Sequence, residues 1–190
     1  RDQLSAPLFR KEKEEYKMQH LKTLIYTALF TALCCIATML IQIPLAATNG
    51  YIHLGDAFVI LSGIILGRKY GGFAAGVGSA FADLFTGYAY FAPVTFVIKF
   101  LVAFASAVIF KTMTSKNVNK IFSVILCGVS ATILVTGLYF VYCYITVGPA
   151  ALLSVPGNIV QGLSGLIISA ILFPILEAIP DVRALKARLN

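Results

Sequence analysis

The sequence predicts an all-α integral membrane protein: a single domain over residues 1–190, built as a six-transmembrane-helix bundle with both termini cytoplasmic. Three observations predict it. The 190-residue chain is 59% hydrophobic and only 12% charged, with a mean hydropathy of +0.88. An ordinary soluble domain has about 25% charged residues, and so few charges cannot cover a water-facing surface. The apolar residues form six runs, at about 21–43, 52–67, 72–88, 93–111, 119–147 and 157–179. The connections between the runs alternate between basic and base-free.

The segment 1–20, "RDQLSAPLFRKEKEEYKMQH", is too charged for the core of a cleavable signal peptide. It is expected to be a cytoplasmic N-terminal segment. The first, fourth, fifth and sixth runs are long enough to span, since a crossing needs about 20 residues. The second and third are shorter. Were 52–88 a re-entrant hairpin, its tip, Arg68-Lys69, would end in hydrocarbon. Insertion scales put that cost at about 2.5–3.5 kcal/mol or more for a central base, so both runs are expected to cross.

The bases then fix the sidedness. Arg1, Arg10, Lys11, Lys13, Lys17 and Lys22 precede or enter the first run, and Arg68 and Lys69 follow the second. Lys111, Lys116 and Lys120 follow the fourth, and Arg183, Lys186 and Arg188 lie in a tail, 181–190, after the sixth. Fourteen of fifteen Lys and Arg thus fall on one side, which the positive-inside rule makes cytoplasmic. The same scatter excludes nucleic acid as the partner of the +7 net charge, because no continuous basic face exists. Cys34, Cys35, Cys127 and Cys143 lie inside apolar runs with no C-x-x-C pair, and read as small buried hydrophobes.

Ionisable groups inside a bilayer mark function by default. The fifteenth base, Lys99, sits about six residues into the fourth run, roughly 9 Å deep at 1.5 Å per residue. Asp83 lies at similar depth on the third run, and Asp56 begins the second. All three are near the outer face. Asp83 and Lys99 read either as an ion pair fixing helix register or as part of a solute pocket. Asp56 reads as a cap for free backbone N–H groups or as a second, weaker functional acid beside His53.

Polar residues elsewhere point to the same end. In "VPGNIVQGLSG" Asn158 and Gln161 stand one turn below the outer loop, either as glue between helices or as solute contacts, because unpaired amides are costly in hydrocarbon. Thr132, Thr136, Tyr139, Cys143 and Thr146 make a semi-polar stripe on the fifth run. The outer loop "PLAATNGYIHLGD" is turn-rich at Thr48-Asn49-Gly50, and Asn49, Tyr51 and His53 are placed to close over a ligand. His53 has no second His or Cys at ligand spacing, so no metal is expected. The third run, "GGFAAGVGSAFADLFTGY", carries small residues around its circumference, which lets helices approach closely and places it centrally. No G-x-x-x-x-G-K-[ST] occurs, and no cofactor is expected.

The string "IHLGDAFVILSGIILGRKYGGFAAGVGSAFADLFTGYAYFAPVTFVIK" resembles the substrate-binding (S) component of energy-coupling-factor (ECF) vitamin transporters, over about residues 20–180. The matching features are Ile52–Asp56, Gly67–Gly71, Ala82–Leu84, Gly87-Tyr88, Pro93 and Lys99. The resemblance is strongest to the branch holding riboflavin, hydroxymethylpyrimidine and pyridoxine-type carriers. It implies a non-catalytic, multi-pass subunit of the bacterial cell membrane that binds a vitamin near its outer side. It also implies partners: a transmembrane coupling subunit and two cytoplasmic ATPases. The implied pocket carries Lys99, Tyr139, Asn158 and Gln161, with Asn49, Tyr51 and His53 in a lid. The implied docking strip is an A-x-x-x-A motif, here Ala28 and Ala32. The chain has no Trp, unlike thiamine carriers. A pocket of Tyr, amides and one Lys favours a small hydroxylated aromatic heterocycle, a vitamin B6 form or hydroxymethylpyrimidine, ahead of riboflavin.

Two other classes compete. A stand-alone ion-coupled secondary transporter would use Asp83 and Lys99 as a proton relay, but residues 20–90 and 93–180 show no inverted repeat. A membrane enzyme would need paired acids or a metal cluster, which the scattered acids do not supply.

Overall fold

A computed structural model describes residues 2–46 and 48–189, with side chains from residue 13 onward. Arg1, Arg10 and Lys11 of the basic N-terminal cluster therefore lie outside the described residues or side chains. The order is α1 (Asp2–Leu40), β1 (Gln42–Leu45), β2 (Gly50–His53), α2 (Asp56–Phe85), α3 (Ala92–Ser115), α4 (Lys120–Val147), a 3-10 segment (Gly148–Ser154), α5 (Val155–Ala178) and α6 (Pro180–Leu189). Among the described residues, four helical stretches are long and apolar enough to cross a membrane: Lys13–Leu40, Asp56–Phe85, Ala92–Ser115 and Lys120–Ala178. The second and fourth of these each contain two of the apolar runs read from the sequence.

The second stretch, α2, is broken. Gly67 has φ 73 and ψ −176, a left-handed φ that only glycine adopts without strain. Beyond it the chain doubles back. Ser62 Oγ donates to the carbonyl of Gly71 at 3.1 Å, and a Cβ on Gly71 would stand 2.4 Å from the carbonyl oxygen of Ser62. Nine residues of straight helix would separate those positions by about 13.5 Å. The arms 56–66 and 68–85 therefore run against each other, and both free ends of α2 return to one end of the bundle.

The first arm forms the centre. Val59, Ile60, Leu61, Ile64 and Ile65 are all 0% exposed. The second arm, rich in small residues, lies against its neighbours at backbone range: Gly72 and Gly76 receive the rings of Phe100 and Phe96 on α3, and Gly78 meets Thr31 and Cys34 on α1. The small residues thus serve close approach, as expected, while the deepest position belongs to the apolar arm before them. Cys34, Cys127 and Cys143 are buried. The outer surface of α1, α4 and α5 is apolar, with Ile25, Ile36, Ile133, Ile167 and Ile171 each more than half exposed. In water such a surface would aggregate; in acyl chains it is the expected exterior.

Two elements depart from the sequence reading. The connection between α1 and α2 contains a β-hairpin, pairing Gln42 with His53, Ile43 with Ile52, Pro44 with Tyr51 and Leu45 with Gly50. Asn49 takes φ 52 in its turn, which Asn tolerates better than most residues. A lone hairpin is marginal in water, so this one depends on its contacts with the helices below. The tail 181–190 is helical: α6 buries Val182 and Leu185 and is tied to α1 by Lys22–Asp181 at 3.1 Å and by Arg188 to the carbonyl of Gln19 at 2.9 Å. Glu177 gathers Lys120 and Lys186 at that same end, opposite the hairpin.

Candidate functional site

Backbone breaks bring five segments together under the hairpin. Both ends of α2 arrive there because of the reversal at Gly67. Gly87, with φ 88, turns the chain from α2 into α3, whose first turn carries a proline. Gly148, with φ 67, ends α4, and a proline opens α5. Between them lies a pocket with about 410 Å³ of atom-free space, counted out to its open mouth. Its walls hold Leu45, Thr48, Gly50, Tyr51 and His53 from the hairpin, Asp83 from α2, Phe91 and Thr95 around the start of α3, Tyr139 and Cys143 from α4, and Ser154, Asn158 and Gln161 leading into α5.

The floor is a connected polar chain. Lys99 Nζ donates to Asp56 Oδ1, and both side chains are fully buried. Asp56 Oδ2 accepts from Gln161 Nε2 at 3.0 Å. Gln161 Oε1 accepts from the His53 backbone N–H at 3.1 Å, and His53 Nδ1 accepts from the Gly55 N–H at 2.9 Å. The Lys99 ammonium also lies 5.5 Å from the Tyr139 ring centroid, a cation–π distance. One network thus ties α3, α2, α5 and β2 together. Burial, helped by the Lys99 charge, holds the His53 imidazole down at about 3. His53 is therefore neutral, and the nitrogen not bonded to Gly55 carries its proton.

Above the floor, Tyr51 O–H donates to Asp83 Oδ1 at 2.5 Å. Asp83 Oδ2 is buried and has no hydrogen-bond partner among the described residues. The Thr95 hydroxyl nearby is engaged with Tyr139 O–H at 3.0 Å. Rings crowd the mouth: Tyr51 and Tyr88 centroids are 4.5 Å apart, and Phe91 lies 6.4 Å from Tyr139 and 5.3 Å from Tyr142. The hairpin is pinned at its turn by Tyr90 O–H, which donates to the carbonyl of Asn49.

Of the residues singled out by sequence, Tyr51, His53, Asp83, Tyr139, Asn158 and Gln161 converge on this pocket. Asn49 stands in the hairpin turn and takes part through its backbone. Lys99 lies beneath the pocket and does not line it. The Asp83–Lys99 pair is not formed, because Asp56 takes the ammonium. The capping reading of Asp56 also fails: the helix start at Gly55 has no side-chain cap, and the Asp56 carboxylate is spent on Lys99 and Gln161. Phe91, Thr95 and Ser154 were missed. Thr95 had a signal, since it stands one helical turn from Lys99 on the same face.

The chain is therefore a multi-pass membrane protein with an aromatic, amide-lined pocket at the end remote from its basic cluster. The family described as "ECF-type riboflavin transporter, S component" matches residues 18–178. The chain belongs to this family of S components, vitamin-binding subunits of ECF transporters that work with the partners of an ECF module and are not enzymes. An uncharacterized protein in the gap 3'region of Pyrococcus woesei is 35% identical over 143 residues, covering 75% of this chain and 93% of the relative.

Proposed function

We propose that this S component binds a small hydroxylated aromatic heterocycle, a vitamin B6 form or hydroxymethylpyrimidine, in the pocket beneath the hairpin. The observation that carries the reading is the meeting of Tyr51, Tyr139 and Phe91 with Asp83, Asn158 and Gln161 in one cavity. Rings supply stacking area, and the few polar groups fix orientation. The closely set rings and polar groups of the walls suit one six-membered ring with small substituents. A second reading, riboflavin, is favoured by the family's description. A three-ring flavin with its side chain would require the hairpin to move outward.

The chain crosses the membrane six times with both ends inside: α1, the two arms of α2, α3, α4 and α5. The reversal at Gly67 supports this, since it puts Arg68 and Lys69 at the end away from the pocket. Ala28 and Ala32 are exposed on α1 and form the strip that docks on the coupling subunit, where small side chains allow close helix approach. Energy comes from the ATPases of that module. The rival, ion-coupled transport through Asp83 and Lys99, is weakened by the separate partners those residues take.

Mass spectrometry of small molecules released from the purified protein tests the ligand. A pyridine or pyrimidine alcohol is expected, and a flavin would favour the second reading. Vesicles containing this chain alone should bind the ligand without concentrating it; gradient-driven accumulation would establish the rival.

A further inference from the structure

We propose that Asp83 selects the ligand by accepting a hydrogen bond from an N–H donor, so that the ligand's ring bears an exocyclic amino group or a protonated ring nitrogen. The inference rests on the binding reading above and sharpens it. Asp83 is 2% exposed, and its two oxygens differ. Oδ1 accepts from Tyr51 O–H at 2.5 Å. Oδ2 is buried without a hydrogen-bond partner among the described residues, in a residue that lines the pocket. A buried acceptor left unmade is costly, and such an atom in a cavity wall marks where a ligand atom completes the bonding.

The groups around it decide the sign. Lys99 is engaged by Asp56, and Asp56 is further bonded by Gln161, so the floor is internally neutral. His53 is uncharged. Thr95 Oγ1 and the Tyr139 hydroxyl hold each other at 3.0 Å. Among the described residues no base is paired with Asp83, Tyr51 sits on the other oxygen, and the neighbouring Thr95 hydroxyl, in contact with Tyr139, makes no hydrogen bond to Oδ2. A ligand donor completes the bonding of Oδ2, and a partly cationic N–H is favoured because the carboxylate forms no ion pair among the described residues. A ring that turned a carbonyl oxygen toward Oδ2 would be rejected by acceptor–acceptor repulsion, the kind of discrimination a hydrogen-bonding site makes sharply.

The test is equilibrium binding to the full chain in detergent, using 4-amino-5-hydroxymethyl-2-methylpyrimidine and its 4-methoxy analogue, which has neither an amino group nor a lactam N–H. The wild type is expected to bind the amino compound at least tenfold more tightly. Asp83→Asn keeps an acceptor for Tyr51 and can place an N–H₂ donor at the Oδ2 position, so the preference should shrink at least tenfold or reverse. Equal affinities for the two compounds in the wild type overturn the proposal without needing the variant. A folded Asp83→Asn protein that keeps the wild-type preference overturns it too. If the wild type binds neither these compounds nor pyridoxine, the underlying reading of the pocket falls and this proposal with it.

Discussion

Lys99 on α3 pairs with Asp56 at the head of α2, and not with Asp83 near the end of the same helix. The reversal at Gly67 brings both acids to one end of the bundle, and the pairing divides their labour. Asp56 neutralises the buried base and, through Gln161, steadies the strand that carries His53. Asp83 gives one oxygen to the hairpin and leaves the other without a hydrogen bond among the described residues.

Removing one member of the pair should damage the fold before it damages binding. Lys99→Met leaves Asp56 charged and buried, and breaking such a pair costs about 3–5 kcal/mol. The thermal midpoint in detergent should fall sharply. Lys99→Met combined with Asp56→Asn should recover at least half of the loss. A single variant as stable as the wild type would refute the pairing.

The fold-back of α2 rests on the missing side chain at Gly71. A Cβ there would meet the Ser62 carbonyl oxygen at 2.4 Å, so Gly71→Ala should destabilise by about 1–3 kcal/mol, the range for overpacking. Gly137 on α4 has open space around the same atom. Gly137→Ala should be neutral or slightly stabilising, since alanine favours helix by up to about 1 kcal/mol. Parallel melting curves check the contrast.

His53 should make stability depend on acid. Its folded value is held at about 3, mainly by burial, against about 6.5 when unfolded. Between those values the unfolded chain binds more protons. The contribution is therefore complete above about pH 6.5 and is lost as pH falls, at up to about 1.4 kcal/mol per unit. Melting midpoints from pH 8 to 5 should drop more steeply for the wild type than for His53→Gln; matching profiles would contradict the assignment.

Leucine at both Ala28 and Ala32 should abolish co-purification with the coupling subunit and leave ligand affinity within a factor of about two, because both positions are exposed and far from the pocket residues in the chain. Loss of ligand binding would assign them to internal packing instead.

Much of this arrangement was legible in the chain, for physical reasons. Apolar length and the alternation of bases gave the helical runs, and even the reversal, because Arg68-Lys69 could not be left in hydrocarbon. The polar residues of α4 and α5 stood out because amides and hydroxyls are rare at such positions. The hairpin was hidden by four-residue strands, one of them carrying Pro44. The partner of Lys99 was hidden because two acids at similar depth look alike until the backbone decides between them. Helix α6 has ten residues, too few for its buried Val182 and Leu185 to declare a periodic face.

The central claim is that the cavity under the hairpin is the vitamin site, and Asn158 tests it most directly. It lines the cavity and takes no part in the Lys99–Asp56–Gln161 floor. Equilibrium binding of the copurifying vitamin to Asn158→Ala should be at least tenfold weaker, about 1.4 kcal/mol, with an unchanged melting midpoint. Ile167→Ala, on the lipid-facing surface, should bind as the wild type does. Wild-type affinity in Asn158→Ala would contradict the account.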